Sequence, residues 1–355
     1  MLKKSRYCGG SMGSRMLNHV SLFAGLGGFI AAANRRDIQT IFATDFEAHC
    51  IKTIQNSFPD VPVACENIMD LDFSEHFNIE TQIDILSAGF PCQSFSTAGA
   101  NLGFDDPRGK LFFEIPRLIE SLVNPPKVVL LENVPHLKMF DNGSRLSRVI
   151  QELRMSGYWV SSAQSLILNS RDICGSPQRR ERLYIIAYHS EYFKKNFFNF
   201  NGFKSVDAQD LWSLLDTNIK QDDKLYLEED NKYYLMLKQS IRKHNSQLLY
   251  QIRRVGVRVC PENICPTLTA NMGGGGHNVP FLQDDWGIRK LSISECLRLQ
   301  GYRPGEILFP NDIPNNRKYM MIGNAIHAGT VESVLQNIDL TQERSKQNDR
   351  MELSA

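Results

Sequence analysis

The sequence predicts an α/β protein, a sheet of βα units followed by a smaller, irregular domain. Three observations carry this expectation. From His19 onward, short β-rich apolar runs alternate with stretches of helical period, the pattern of strands joined by crossover helices into a parallel sheet. The alternation stops after Tyr188, where an aromatic and Asn-rich stretch, residues 192–203, has no βα rhythm. At 355 residues the chain also exceeds one ordinary core.

The expected strands are residues 19–23, 40–43, 83–88, 128–131 and 183–188, each ending at a glycine, an acid or a proline turn. Leu111, Ile115, Leu118, Leu122 and Val123 recur at helical spacing and predict an amphipathic crossover over 109–123. A helix is expected over 292–299. A last one, over 323–338, should pack Ile326, Val331, Val334, Leu335 and Ile338 back on the first domain. The expected division is a leader at 1–15, a first domain at 16–190, a second at 191–290, a hinge and returning helix at 291–340 and a tail at 341–355.

With 42% apolar and 22% charged residues the composition is globular, and no apolar run of about 18 residues exists to span a bilayer. The first residues lack the apolar core of a secretory signal, and the eight cysteines form no CxxC pair, so neither a zinc site nor a disulfide framework is expected. A cytoplasmic monomer without metal is the expectation. The net charge of +1 conceals a local excess: between residues 231 and 261 stand seven cations (Lys232, Lys238, Arg242, Lys243, Arg253, Arg254, Arg258) and no acid. That segment suits phosphates.

In open parallel sheets ligands bind beyond the carboxyl ends of the strands. The turn Phe23-Ala-Gly-Leu-Gly-Gly-Phe29 follows the first strand and would let backbone amides approach a nucleoside closely; a bland tight turn reads about as well. Asp45, about 20 residues on, is placed to hold ribose hydroxyls, or else to cap a helix. Cys92, in PCQSFS at 91–96, opens a loop containing Gly99, Gly103 and Gly109; its thiol is a candidate nucleophile, set against ordinary core packing. Glu132 ends a strand at the same edge as a candidate acid. In QRRER at 178–182, alternate arginines, Arg180 and Arg182, point to one side and suit an anion or a carbonyl oxygen; a solvated charge run is the alternative.

Nucleophile, acid, cation and nucleoside pocket at one sheet edge form a catalytic constellation. In kind and order, PCQSFS, ENV at 132–134, QRRER, PTLTANMGGGG at 266–276 and GNA at 323–325 resemble the bacterial DNA cytosine-5 methyltransferases, from Phe23 to about Ile338. The resemblance implies a Rossmann-like S-adenosylmethionine-dependent methyltransferase fold, with 191–290 as the DNA-recognition domain. Cys92 would add to carbon 6 of a cytosine swung out of the duplex, and carbon 5 would take the methyl group. Glu132 would bind ring nitrogen 3 and the exocyclic amine, while Arg182, helped by Arg180, would bind the ring carbonyl. The cofactor would lie on Phe23, Gly25, Leu26, Gly27, Gly28, Asp45, Phe46, Asn67, Ile68, Pro91, Asn324 and Ala325. DNA would meet Gln93, Ser96 and Arg108 on the loop and Arg253, Arg254 and Gly274 in the second domain. Two departures stand out: Asn67 replaces the family's usual Asp, and His327 stands where Pro is usual.

The resemblance further implies the modification half of a restriction-modification system, with a separate cognate endonuclease. Two other enzymes remain open, a tRNA cytosine-5 methyltransferase and a nicotinamide-dependent enzyme using the glycine turn. So does an inactive DNA-binding protein. The long basic stretch favours duplex DNA over tRNA, and the nicotinamide reading leaves PCQSFS and QRRER unexplained.

Overall fold

The computed structural model describes residues 15–91, 111–244, 247–254, 256–274 and 278–344. Five parallel strands, β1 (Leu17–Leu22), β2 (Ile38–Asp45), β3 (Val63–Cys65), β4 (Ile85–Ala88) and β5 (Val128–Asn133), lie in the order β3-β2-β1-β4-β5. β8 (Glu181–His189) extends this sheet antiparallel to β5, and β6 (Tyr158–Trp159) and β7 (Ser165–Asn169) both pair antiparallel with β8. All five expected strands are present, but the last runs against the rest. Its sequence could not reveal this, because a strand buried on both faces is a continuous apolar run in either direction.

The helices in chain order are α1 (Gly28–Asn34), α2 (Ala48–Ser57), α3 (Glu114–Glu120), α4 (His136–Met139), α5 (Ser144–Met155), α6 (Ser170–Cys174), α7 (Lys232–Lys243), α8 (Ile293–Leu299), α9 (Asn315–Asn324) and α10 (Ala328–Gln336). One face of the sheet presents Val129, Leu131, Leu183 and Ile185 to Ile115 and Leu118 of α3 and Val149 and Leu153 of α5. The other presents Val128, Leu130, Tyr184 and Ile186 to Phe29 of α1 and to Val331 and Val334 of α10, where Phe193 and Phe198 also pack. The expected crossover is in fact a 3-10 turn, Leu111–Phe113, followed by α3, and Val123 is 60% exposed rather than buried.

The smaller domain carries short antiparallel strands, β9 (Tyr250–Arg253), β10 (Gly256–Val259), β11 (Phe281–Asp284) and β12 (Gly287–Lys290), in the order β10-β9-β11-β12, with α7 packed against them. Arg289 of β12 is fully buried between Asp284 and Glu295, and the second contact ties this sheet to α8. Ser292 and Glu295 form the capping box that starts α8.

The helix expected over 323–338 is two helices. α9 ends at Asn324, Ala325 is extended (φ −60°, ψ 150°), and α10 begins after His327. His327 is its N-cap: Nδ1 accepts from the Thr330 amide at 3.2 Å and lies 3.1 Å from Thr330 Oγ1. This gives the departure from proline a physical account, since a cap needs a side-chain acceptor. Apolar periodicity runs across the break and hides it.

Burial holds two histidines neutral. His327 is pushed down to about 3, chiefly by burial and then by Arg180. His19, on β1 between Thr40 Oγ1 at 2.9 Å and Ser87 Oγ at 2.7 Å, is pushed down to about 3 by burial. Below pH ~6.5 the unfolded chain takes up both protons while the folded chain refuses them, so stability falls as pH drops towards 3. The pair should contribute a slope of about 2.7 kcal/mol per pH unit between roughly pH 6 and 4. Urea unfolding across that range should show His19→Asn cutting the slope by about half of this contribution; an unchanged slope would contradict the assignment.

Candidate active site

At the end of β1 the chain turns sharply, with Phe23, Gly25 and Gly27 all at positive φ (52°, 55° and 77°). Asp45, the last residue of β2, holds this turn: Oδ2 accepts from the Gly25 amide at 2.8 Å and Oδ1 from the Glu47 amide at 2.9 Å. Burial raises the Asp45 carboxyl above its usual range, against the pull of those amides. The N-cap position of α2 belongs to Glu47. Gly28 is required by packing, because a Cβ there would lie 2.9 Å from the Ile326 carbonyl oxygen. Leu26, by contrast, is buried in the core, so it can meet a ligand only through its backbone.

Phe46 follows Asp45 and is 70% exposed. At the end of β3, exposed Asn67 forms a local turn, its Oδ1 accepting from the Met69 amide at 3.2 Å; Ile68 is buried in the core. Pro91 stands half-buried just beyond β4, while Asn324 is exposed at the end of α9 and Ala325 is buried. A glycine turn, a carboxylate, an exposed aromatic face and an amide thus follow successive parallel strands. The set fits a nucleoside-bearing cofactor: hydroxyls for the acid, a flat base for the ring.

Beside this cradle, Glu132 of β5 and Arg182 of β8 approach across the antiparallel ladder, Nε to Oε1 at 3.1 Å. Oε1 is itself buried and makes no aligned hydrogen bond, so its pairing with Arg182 is electrostatic. The buried Tyr184 ring, directly opposite Glu132 in register, helps exclude water. Burial raises the Glu132 carboxyl above its ordinary range, opposed by Arg182 and then Arg180. Arg180, expected to help bind the ring carbonyl, is buried with its guanidinium turned to the main chain: Leu268 O at 2.9 Å, Ala325 O at 2.7 Å and Gly323 O at 3.4 Å. In this structure it braces the site rather than facing the cleft. Gln178 does likewise through Leu299 O, Gln300 and the Leu268 amide.

Cys92, Gln93, Ser96 and Arg108 lie outside the described residues. The approach to them is described. A Cβ at Gly89 would stand 3.8 Å from Glu132 Oε2, and Asn133 Nδ2 donates to the Phe90 carbonyl at 3.1 Å. The chain therefore leaves for position 92 from beside the Glu132 carboxyl.

Arg182 also opens on a cleft of about 500 Å³ between the two domains, lined by Arg179, Arg253, Arg258, Thr267 and Thr269 as well. Glu181 is the one acid among the lining residues described. Arg254 is exposed but does not line it; nor does Gly274, whose amide closes a turn on Asn271 O at 2.9 Å. Arg179 and Thr267 were not singled out from the sequence. Their signal was present in QRRER and PTLT, but only the fold brings them together, through Arg179 N to Cys265 O at 2.9 Å and Thr267 Oγ1 to Arg179 O at 2.5 Å.

No helix among the described residues is long and apolar enough to cross a membrane. The family model for C-5 cytosine-specific DNA methylases matches residues 17–339. The chain is 36% identical over 329 residues to the Type II methyltransferase M.Bsp6I of Bacillus sp. (strain RFL6), covering 91% of this chain and 98% of that one. It is 30% identical to the Type II methyltransferase M.HhaI of Haemophilus parahaemolyticus, covering 91% and 94%. Among solved structures, the Entamoeba histolytica methyltransferase EhMeth superposes with a TM-score of 0.68 at 17% identity, covering 92% of this chain and 98% of that one. The S. pombe Dnmt2 methyltransferase gives 0.65 at 19%, covering 91% and 98%; both likenesses concern the fold. With cradle, buried acid and basic cleft in one frame, the chain belongs to the C-5 cytosine-specific DNA methylases and is a DNA (cytosine-5-)-methyltransferase.

Proposed function

We propose that the protein methylates carbon 5 of a cytosine within a specific duplex sequence, as the modification half of a restriction-modification system whose endonuclease acts separately. The observation that carries this reading is the Glu132–Arg182 pair, 3.1 Å apart at the sheet edge where the chain departs towards Cys92. The Type II naming of the relatives supports the restriction-modification context.

Gly25, Asp45, Phe46 and Asn67 would hold S-adenosylmethionine, which supplies a methyl group activated by its sulfonium. The target base, stacked within a duplex, must be swung out into the cleft at a cost of a few kcal/mol. The Cys92 sulfur then forms a bond to carbon 6, and the displaced ring electrons move towards nitrogen 3 and carbon 5. Glu132, whose affinity for a proton burial raises, donates a proton to nitrogen 3 as that charge builds. Arg182 holds the ring carbonyl and keeps the carboxyl in place. Carbon 5 takes the methyl group, nitrogen 3 returns its proton to Glu132, and the carbon 5 proton passes to solvent water as the C–S bond breaks and Cys92 leaves as the thiolate. Arg179, Arg253 and Arg258 hold the phosphates on either side.

Cys92→Ser should abolish methyl transfer while DNA binding persists. On duplexes carrying 5-fluorocytosine, with S-adenosylmethionine present, the native protein should form an adduct that survives denaturing electrophoresis; its absence would sink the covalent reading. The protonated Glu132 is the working form, so single-turnover rate should fall as pH rises through its raised pKa. Glu132→Gln should lose that alkaline limb and slow methyl transfer by about 10²–10³; a limb that persisted unchanged would assign it to another group.

A further inference from the structure

The basic stretch between residues 231 and 261 divides into two surfaces. Tyr250 and Ile252 of β9 pack with Leu237 and Ile241 of α7 in one apolar cluster, so alternate positions Gln251 and Arg253 face away from the helix. Register places Arg258 opposite Gln251, on that same face, and Arg253 Nη2 donates to Gln251 Oε1 at 2.8 Å. Both arginines line the cleft. α7 covers the reverse of this sheet, and Leu235, Lys238, Gln239, Arg242 and Lys243 line a shallow hollow of about 450 Å³ on it. Arg242 and Lys243 are exposed and form no ion pair among the described residues; Lys238 stands 5.0 Å from the Tyr234 ring and 3.7 Å from Glu229.

Ordinary helix chemistry explains part of this. Cations in a last turn favour the helix dipole, which covers Arg242 and Lys243. It does not cover Lys238 in mid-helix. A helix charged only for solubility interleaves acids three or four residues from its bases, whereas α7 contains no acid.

We propose that this outer face of α7 binds the phosphate backbone of a second duplex segment, distinct from the one in the cleft. The inference rests on the cleft holding the target duplex. A helix about 10–12 Å thick and a sheet separate the two charged faces, which point in opposite directions, so a straight duplex seated on one does not reach the other. Two such surfaces let the enzyme grasp an incoming segment before releasing the first, and so pass directly between them.

The test measures release of a fluorescent target duplex of about 14 base pairs, little more than one helical turn, during chase with unlabelled long duplex. For the native protein the release rate should rise severalfold with chase concentration. For K238E/R242E/K243E it should stay flat, with unchanged affinity for the short duplex, while K238R/R242K/K243R should keep the native behaviour. A flat native response, an equal rise in the charge-reversed protein, or loss of its short-duplex affinity would each overturn the proposal. The cleft is tested separately: if Arg253→Ala with Arg258→Ala leaves short-duplex affinity unchanged, the cleft reading fails, whatever the chase shows.

Discussion

The Arg180 guanidinium is the point at which three distant segments meet. It is buried at the entrance to β8 and donates to carbonyls of Leu268, Gly323 and Ala325. Burying a guanidinium is costly unless its donors are taken up, so the carbonyls of the extended 266–269 segment and of the α9–α10 break must stay where they are. The break in turn sets Ile326, whose carbonyl leaves room only for glycine at position 28 and whose side chain packs against Gly89. One buried cation, through Nη1 and Nη2, thereby ties the glycine turn, the chain leading towards Cys92 and the wall of the cleft to one another.

Two residues further along the same strand, Arg182 does a different job with the same side chain. Its pairing with Glu132 is incomplete by design of the ladder: the ion pair is close, yet the carboxyl keeps an oxygen without a hydrogen bond. Burial raises that carboxyl and the two arginines lower it, and burial is the larger effect. A site meant only for stability would complete the pair. Leaving it unfinished suits a group that must hold a proton and surrender it.

Charge in the smaller domain follows from strand parity. The formal balance of +1 gives no sign of a polyanionic partner, yet alternate residues of β9 and β10 send arginines to one side and apolar side chains to the other. α7 then covers the apolar side and presents its own cations outwards. A run of bases that looks uniform along the chain becomes two surfaces of opposite aspect.

The sequence by itself determined five of the twelve strands among the described residues, where the glycine turn lies, and that Asp45, Glu132 and the arginine run stand at strand ends, because local period and turn chemistry follow from burial within a few residues; the two- to five-residue strands β3, β6, β7 and β9–β12 are too short to carry such a period. Asp45 reaching back to Gly25 and Glu132 meeting Arg182 were legible in outline, as types of residue at one edge. The tertiary structure alone decided that β8 runs antiparallel, that His327 splits the last helix, that Arg180 faces inward while Arg182 faces the cleft, and which cations share a face. The His327 cap on Thr330 and the β9–β10 pairing are local but hidden by continuous apolar or basic patterns, whereas the direction of β8 and the facing of Arg180 and Arg182 depend on partners tens of residues away or more, whose direction and identity such patterns do not record.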